Sequence, residues 1–142
     1  MNVIVNIYLL LGSVQDIKKK KITNYYLWAG AMIGVILKII NYGEVTEKSG
    51  EWLTAFIPGV LVLMLAKVTE EKIGYGDGWL IVVLGNYMTV MEISILLQIS
   101  IILIFLFSAI VLCRKMASKT CQIPFLPFLW LSHLFMWRLG YV

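Results

Sequence analysis

The chain has 142 residues, 61% of them hydrophobic and only 14% charged, with a formal net charge of +4. So little polar surface cannot cover a soluble domain of this length, which excludes an ordinary globular protein and points to the bilayer as solvent. The positive charge does not indicate a nucleic-acid partner, because the basic residues fall in short segments between apolar runs, where membrane topology accounts for them.

Six apolar segments follow in chain order. The first covers residues 2–15, the second 25–41 and the third 52–68, with a kink expected at Pro58. No basic residue precedes the first run, which argues against a signal peptide. From Trp79 to Cys113 the chain is almost continuously apolar. One helix of that length would measure about 52 Å, too long for a single crossing of a ~30 Å core. A turn is therefore expected between Gly85 and Glu92, giving a short fourth segment and a full-length fifth. The sixth covers 124–140 and is opened by Pro124 and Pro127. The expected fold is all-α: a polytopic integral membrane protein of about six transmembrane helices, forming one domain over residues 1–142.

Charge orients this bundle. Lys18 to Lys21, then Lys67 and Lys72, then Arg114, Lys115 and Lys119 lie in three loops on one side, nine of the twelve basic residues. The other side carries Lys38, Lys48 and Arg138, with Glu44, Glu47 and Glu51 in its largest loop. The positive-inside rule places the lysine loops in the cytoplasm and both termini outside, in the cell's inner (plasma) membrane. Cys113 and Cys121 are separated by seven residues, with no CxxC or Cys/His cluster, so neither zinc nor a disulfide framework is expected. His133, the lone histidine, reads as a hydrogen-bonded packing residue.

Of eight acidic residues only Asp16 and Asp77 are aspartates, and each stands where an apolar run meets a charged one. Two crossings separate them, so both reach the cytoplasmic side at one depth. Ionisable groups at membrane depth cost about 2.5–3.5 kcal/mol at a helix centre, and chains keep them for pathways, pairs or catalysis. Two close carboxylates hold a proton between them, leaving one as a base for water and the other as an acid for a carbonyl. Gly74, Gly76 and Gly78 around Asp77 are expected to permit positive φ and to leave room for a substrate backbone. The plainer alternative makes Asp77 a helix N-cap and Asp16 a turn residue ahead of the lysines. The matching depth favours the pair.

These stretches resemble the prepilin peptidases, membrane aspartic proteases of the GxGD type. Asp16 is followed by Lys18 to Lys21 and then Ile22-Thr23-Asn24, where that family has Ile-Pro-Asn. Its second motif is matched by Gly74-Tyr75-Gly76-Asp77 and Leu80, with Gly78-Trp79 where the family often has an apolar residue and lysine. The run from Ile123 to Leu129, "IPFLPFL", looks like the proline-aromatic opening of the family's last core helices. The resemblance implies cleavage of the short basic leader from type IV prepilin or pseudopilin substrates at the cytoplasmic face. Asp16 and Asp77 would be catalytic, with Gly74, Gly76, Gly78 and Asn24 supporting the site or the substrate, and no metal or cofactor involved. Lys18 to Lys21 would contact membrane lipid, and Glu70 and Glu71 could meet a basic leader, although a solvated loop explains them as well. Larger members also methylate the new N-terminus; this chain lacks a comparable region and is expected to act as a short form that leaves the amine unmodified. Two other readings stand beside this one. One is a small non-enzymatic transporter or assembly subunit binding an ion at the aspartates. The other is a presenilin-like protease, whose first aspartate lies inside a helix beside a tyrosine.

Overall fold

The computed structural model describes residues 2–19, 22–40, 53–69, 74–113 and 124–141. These form six α-helices and no strand: α1 (Asn2–Lys19), α2 (Asn24–Ile40), α3 (Ile57–Val68), α4 (Tyr75–Leu84), α5 (Val90–Cys113) and α6 (Leu126–Leu139). Lys20, Lys21, the 42–51 loop, Glu70, Glu71, Lys72 and residues 114–123 lie outside the described residues.

Local chemistry sets the boundaries. Pro58 stands in the first turn of α3, after the N-cap Phe56; residues 53–54 are helical and 55–56 form a turn, so the third segment is interrupted just ahead of the proline. An opening turn lacks intrahelical acceptors for its N–H groups, and a residue with none is at home there. The long apolar run is interrupted between Leu84 and Val90, within the stretch where a turn was expected. A capping box restarts the helix: the Thr89 N–H donates to Glu92 Oε2 at 2.7 Å, and the Glu92 N–H donates to Thr89 Oγ1 at 3.4 Å. At the far end α6 stops on Gly140 at φ 74°, where the Tyr141 N–H reaches the Met136 carbonyl at 3.1 Å. That left-handed turn is one glycine adopts without strain.

The centre is built by tyrosines laid against glycines. A Cβ on Gly30 would lie 2.5 Å from the Tyr8 ring, and one on Gly34 would lie 2.7 Å from Asn86 Cβ and 3.0 Å from Tyr87. Gly30 and Gly34 thus form a small-xxx-small face that lets α1 and the turn after α4 approach α2 closely. The Tyr8 and Tyr26 rings stack at 4.4 Å and nearly parallel, and the Tyr87 hydroxyl donates to the Gly30 carbonyl at 2.5 Å. The Tyr26 hydroxyl donates to the Tyr8 carbonyl. On the other flank α6 packs on α1 and α5, tied by Trp130 Nε1 to Asn6 Oδ1 at 2.9 Å and by Ser100 to Ser132 at 2.9 Å.

His133 is fully buried on α6, but neither ring nitrogen has a hydrogen-bond partner among the described residues. Packing was expected of it; hydrogen bonding was too, and that part is corrected. Its neighbours one turn away on the helix, Leu129 and Met136, are buried and apolar, and offer it no donor or acceptor.

Large apolar side chains are exposed on every helix, including Ile7, Trp28 at 72%, Met64, Trp79, Phe105 at 70% and Phe135. Among the described residues α5 is the one helix long and apolar enough to cross a membrane, and only 11% of its most apolar stretch is buried. At 12 and 10 residues, α3 and α4 are shorter than the ~20 residues that span a bilayer core.

Candidate active site

One end of the bundle gathers the C-terminus of α1 and the N-termini of α2, α4 and α6. The junction follows from contacts between the segments. Asp16 meets Leu126, Gln15 meets Thr23, and Gly76 packs on Ile22. Asp16 and Asp77 are close enough for their charges to interact. The two sequence motifs thus adjoin in space although 61 positions separate their aspartates.

Asp16 lies in the last turn of α1 and is only 7% exposed. Its Oδ2 accepts the backbone N–H of Leu126 at 3.1 Å. Leu126 opens α6, and the first N–H groups of a helix have no acceptor within it, so Asp16 caps α6 from another helix. A carboxylate near α1's own C-terminus faces the negative end of that helix dipole, an opposition worth roughly 0.3–1 kcal/mol. The positive end of α6, together with Lys18 and Lys19 in the same last turn, offsets it.

Asp77 is held in another way. It is the third residue of α4, whose N-cap is Gly74 at φ −61°, so Asp77 does not take the N-cap position. Its carboxylate folds back over the start of the helix, where a Cβ on Gly74 would sit 2.9 Å from Oδ2. Asp77 also precedes the apolar run that begins at Trp79, so it stands outside the stretch that would span a bilayer. Burial pushes its carboxyl above the usual carboxylate range, and the negative charge of Asp16 pushes it further. Its place in the first turn favours the ionised form, but burial outweighs that dipole contribution.

The glycines do not act as expected. Gly74 has negative φ, Gly76 and Gly78 lie within the helix, and Gly140 is the positive-φ glycine among the described residues. Each supplies space. Gly74 makes room for the Asp77 carboxylate, and Gly76 admits Ile22, whose Cβ would be 3.2 Å from an added methyl. A Cβ on Gly78 would lie 2.7 Å from Leu63 of α3, so this glycine serves the packing of α4 on α3.

Asn24 opens α2 and lines a cleft of about 290 Å³ between α2 and α4, together with Trp28, Ala31, Trp79 and Asn86. Trp79 is two residues beyond Asp77, about 200° round the helix, so this cleft lies on the face of α4 turned away from the carboxylates. Among the described residues no group of three or more His, Cys, Asp or Glu side chains is placed to hold a metal ion.

Three contacts at this end escaped the reading of the chain: those of the Leu126 N–H, of the Gln15 side chain and of Ile22 with Gly76. A backbone donor carries no residue signature. Gln15 and Ile22 matter through partners that only the fold brings to them.

The fold and this end of it define an all-helical bundle with an interacting pair of carboxylates where helix termini converge. The model of the type IV leader peptidase family matches residues 3–113, and the chain belongs to that family of peptidases. The match takes in Asp16, Ile22-Thr23-Asn24 and Gly74 to Asp77, and it ends before α6. No curated protein and no solved structure matches the chain.

Proposed function

We propose that this protein is a membrane aspartic endopeptidase that removes the short basic leader from type IV prepilin-like proteins at the cytoplasmic membrane face, with Asp16 and Asp77 as its catalytic pair. Membership of a leader peptidase family supports the substrate class. The observation that carries the catalytic assignment is the electrostatic contact between two carboxylates presented by separate motifs at one end of the bundle.

The chemistry follows from a shared proton. One carboxylate accepts a proton from water as the water oxygen attacks the scissile carbonyl carbon. The other gives its proton to the carbonyl oxygen, forming a neutral gem-diol intermediate. The proton taken from water then passes to the departing amine as the C–N bond breaks, and one gem-diol hydroxyl returns its proton to the other carboxylate. The pair titrates as a unit, and burial together with the charge of Asp16 raises the Asp77 carboxyl above the usual carboxylate range. Asp16 has Oδ2 engaged by the Leu126 N–H, which leaves Oδ1 as the oxygen available to the attacking water.

The exposed apolar side chains on all six helices support insertion in a bilayer. The proposed topology is multi-pass, with the basic loops inside and both termini outside. A cysteine probe at Ser49 should react from outside and one at Ser118 should not, in a variant lacking Cys113 and Cys121; both probe positions lie outside the described residues. The direct test of function incubates the purified protein in detergent with a membrane-inserted prepilin and weighs the products. Release of the basic leader is expected. An intact substrate, with a bound cation that depends on both aspartates, would instead establish an ion-binding subunit.

A further inference from the structure

Asp16 is carried on the last turn of α1, and a helix end has unsatisfied carbonyls and frays readily. Two side chains fasten this end. Asp16 itself reaches α6, and Gln15, about 100° round the helix, reaches α2. Gln15 Nε2 donates to Thr23 Oγ1 at 2.9 Å. Gln15 Oε1 is buried without a hydrogen-bond partner, so Thr23 is the one hydrogen-bonded anchor of this amide among the described residues.

Thr23 is equally well placed from its own side. Its carbonyl accepts the N–H groups of Tyr26 at 3.0 Å and Leu27 at 3.4 Å, so it stands at the start of α2. A threonine there commonly caps its own helix with its hydroxyl. Here the hydroxyl oxygen accepts from α1. The hydrogen bond closes the stretch that carries Lys18 to Lys21, four like charges that favour an open chain. It also lies one residue from Asp16 on one strand of the junction and one residue from Ile22, which packs on Gly76, on the other.

Geometry gives this bond leverage. Side chains reach about 5–6 Å from a helix axis, so turning the end of α1 by about 20° would carry the Asp16 carboxylate roughly 2 Å. A misplacement of about 1 Å in a catalytic group can cost on the order of a hundredfold in rate.

We propose that Gln15 and Thr23 form a positioning pair, which sets the rotation of α1's last turn and thereby the separation of Asp16 from Asp77. The proposal rests on the reading of the two aspartates as the catalytic pair. The hydroxyl of Thr23 and the amide of Gln15 touch no reacting atom; they act through Asp16.

The experiment compares Thr23→Val, Thr23→Ser, Gln15→Met and the double variant Gln15→Met/Thr23→Val, purified in detergent and matched for folded protein by thermal unfolding. Thr23→Val and Gln15→Met should each lower kcat about ten- to a hundredfold with KM within about twofold. Thr23→Ser, which keeps the hydroxyl, should stay within about threefold of the parent. The double variant should be no worse than the poorer single one, because both remove the same bond. A pH profile separates positioning from mere folding. Moving two carboxylates apart weakens their repulsion, so the pair's upper pKa falls and the alkaline limb of kcat/KM moves to lower pH in Thr23→Val. Parental kcat and profile in Thr23→Val, an equal loss in Thr23→Ser, or fully additive losses in the double variant would each overturn the positioning pair. Asp16→Asn and Asp77→Asn in the same assay keep the two ideas apart. Turnover by either refutes the catalytic pair itself, whereas two inactive asparagine variants beside an unaffected Thr23→Val refute only the role of Gln15 and Thr23.

Discussion

The surroundings of Asp16 and Asp77 differ more than their shared chemistry suggests. Asp16 is gripped: a backbone N–H from α6 holds one oxygen, and the neighbouring Gln15 ties the same turn to α2. Asp77 is accommodated: glycine at position 74 leaves its carboxylate the space it occupies, and α3 sets the placement of its helix through Gly59 and Gly78. One carboxylate sits at the unfavourable end of its own helix and is held by donors. The other sits at the favourable end and is made reluctant to ionise by burial. In the proposed mechanism the two carboxylates share one proton, and unequal surroundings of this kind set an acid apart from a base.

The largest effect expected is common to both. Asp16→Asn and Asp77→Asn should each reduce prepilin cleavage by about 10²–10⁴-fold with membrane insertion unchanged, since either loss removes an acid or a base from the reaction. Turnover near the parental rate by one of them would reduce the pair to a single carboxylate.

A smaller effect belongs to Asp77 alone. Gly74→Ala places a methyl 2.9 Å from Oδ2, so the carboxylate must shift, and activity should fall about ten- to a hundredfold with thermal stability little changed. An active Gly74→Ala enzyme would show that the space behind Asp77 is not needed.

The pH dependence tests the same inequality without mutation. In the proposed mechanism catalysis needs one proton on the pair, so it should be lost as pH rises through the raised pKa of Asp77. The alkaline limb of kcat/KM should therefore lie above about 4, the ordinary carboxylate value. A limb at or below that value would mean that burial does not act on Asp77 as the structure implies.

The smallest effect on catalysis is expected from the scaffold beneath Asp77. A Cβ on Gly59 would lie 2.6 Å from the backbone nitrogen of Val82, and a backbone atom cannot move aside as a side chain can. Gly59→Ala should cost about 1–3 kcal/mol of stability, read as a lower unfolding temperature in detergent, and should reduce activity only modestly. An unchanged unfolding temperature would show that α3 and α4 are not closely packed there.

Much of this arrangement was legible in the chain. Apolar runs separated by charged segments determine six helices, and bilayer thickness alone called for a break before Val90. The two aspartates could be assigned to one end because each marks the end of a run, and alternation of direction does the rest. Other signals were present but unread: Thr89 and Glu92 spell a capping box, and Gly30 and Gly34 a close-packing face. A kink was expected at Pro58, and the third segment is interrupted just ahead of it at residues 55–56.

What the sequence by itself determined are the properties that periodicity, hydropathy and residue type encode locally: helices, their order, and the two carboxylates at their ends. Only the tertiary structure decided what each glycine and each carboxylate meets. Gly78 faces Leu63, Gly76 faces Ile22, and Asp16 receives an N–H from a residue 110 positions away. The physical reason is that hydrogen bonds and close contacts act over a few ångströms, while the rotation of one helix against another is set by all the side chains between them. A chain written in one dimension names the partners without stating which of them will touch.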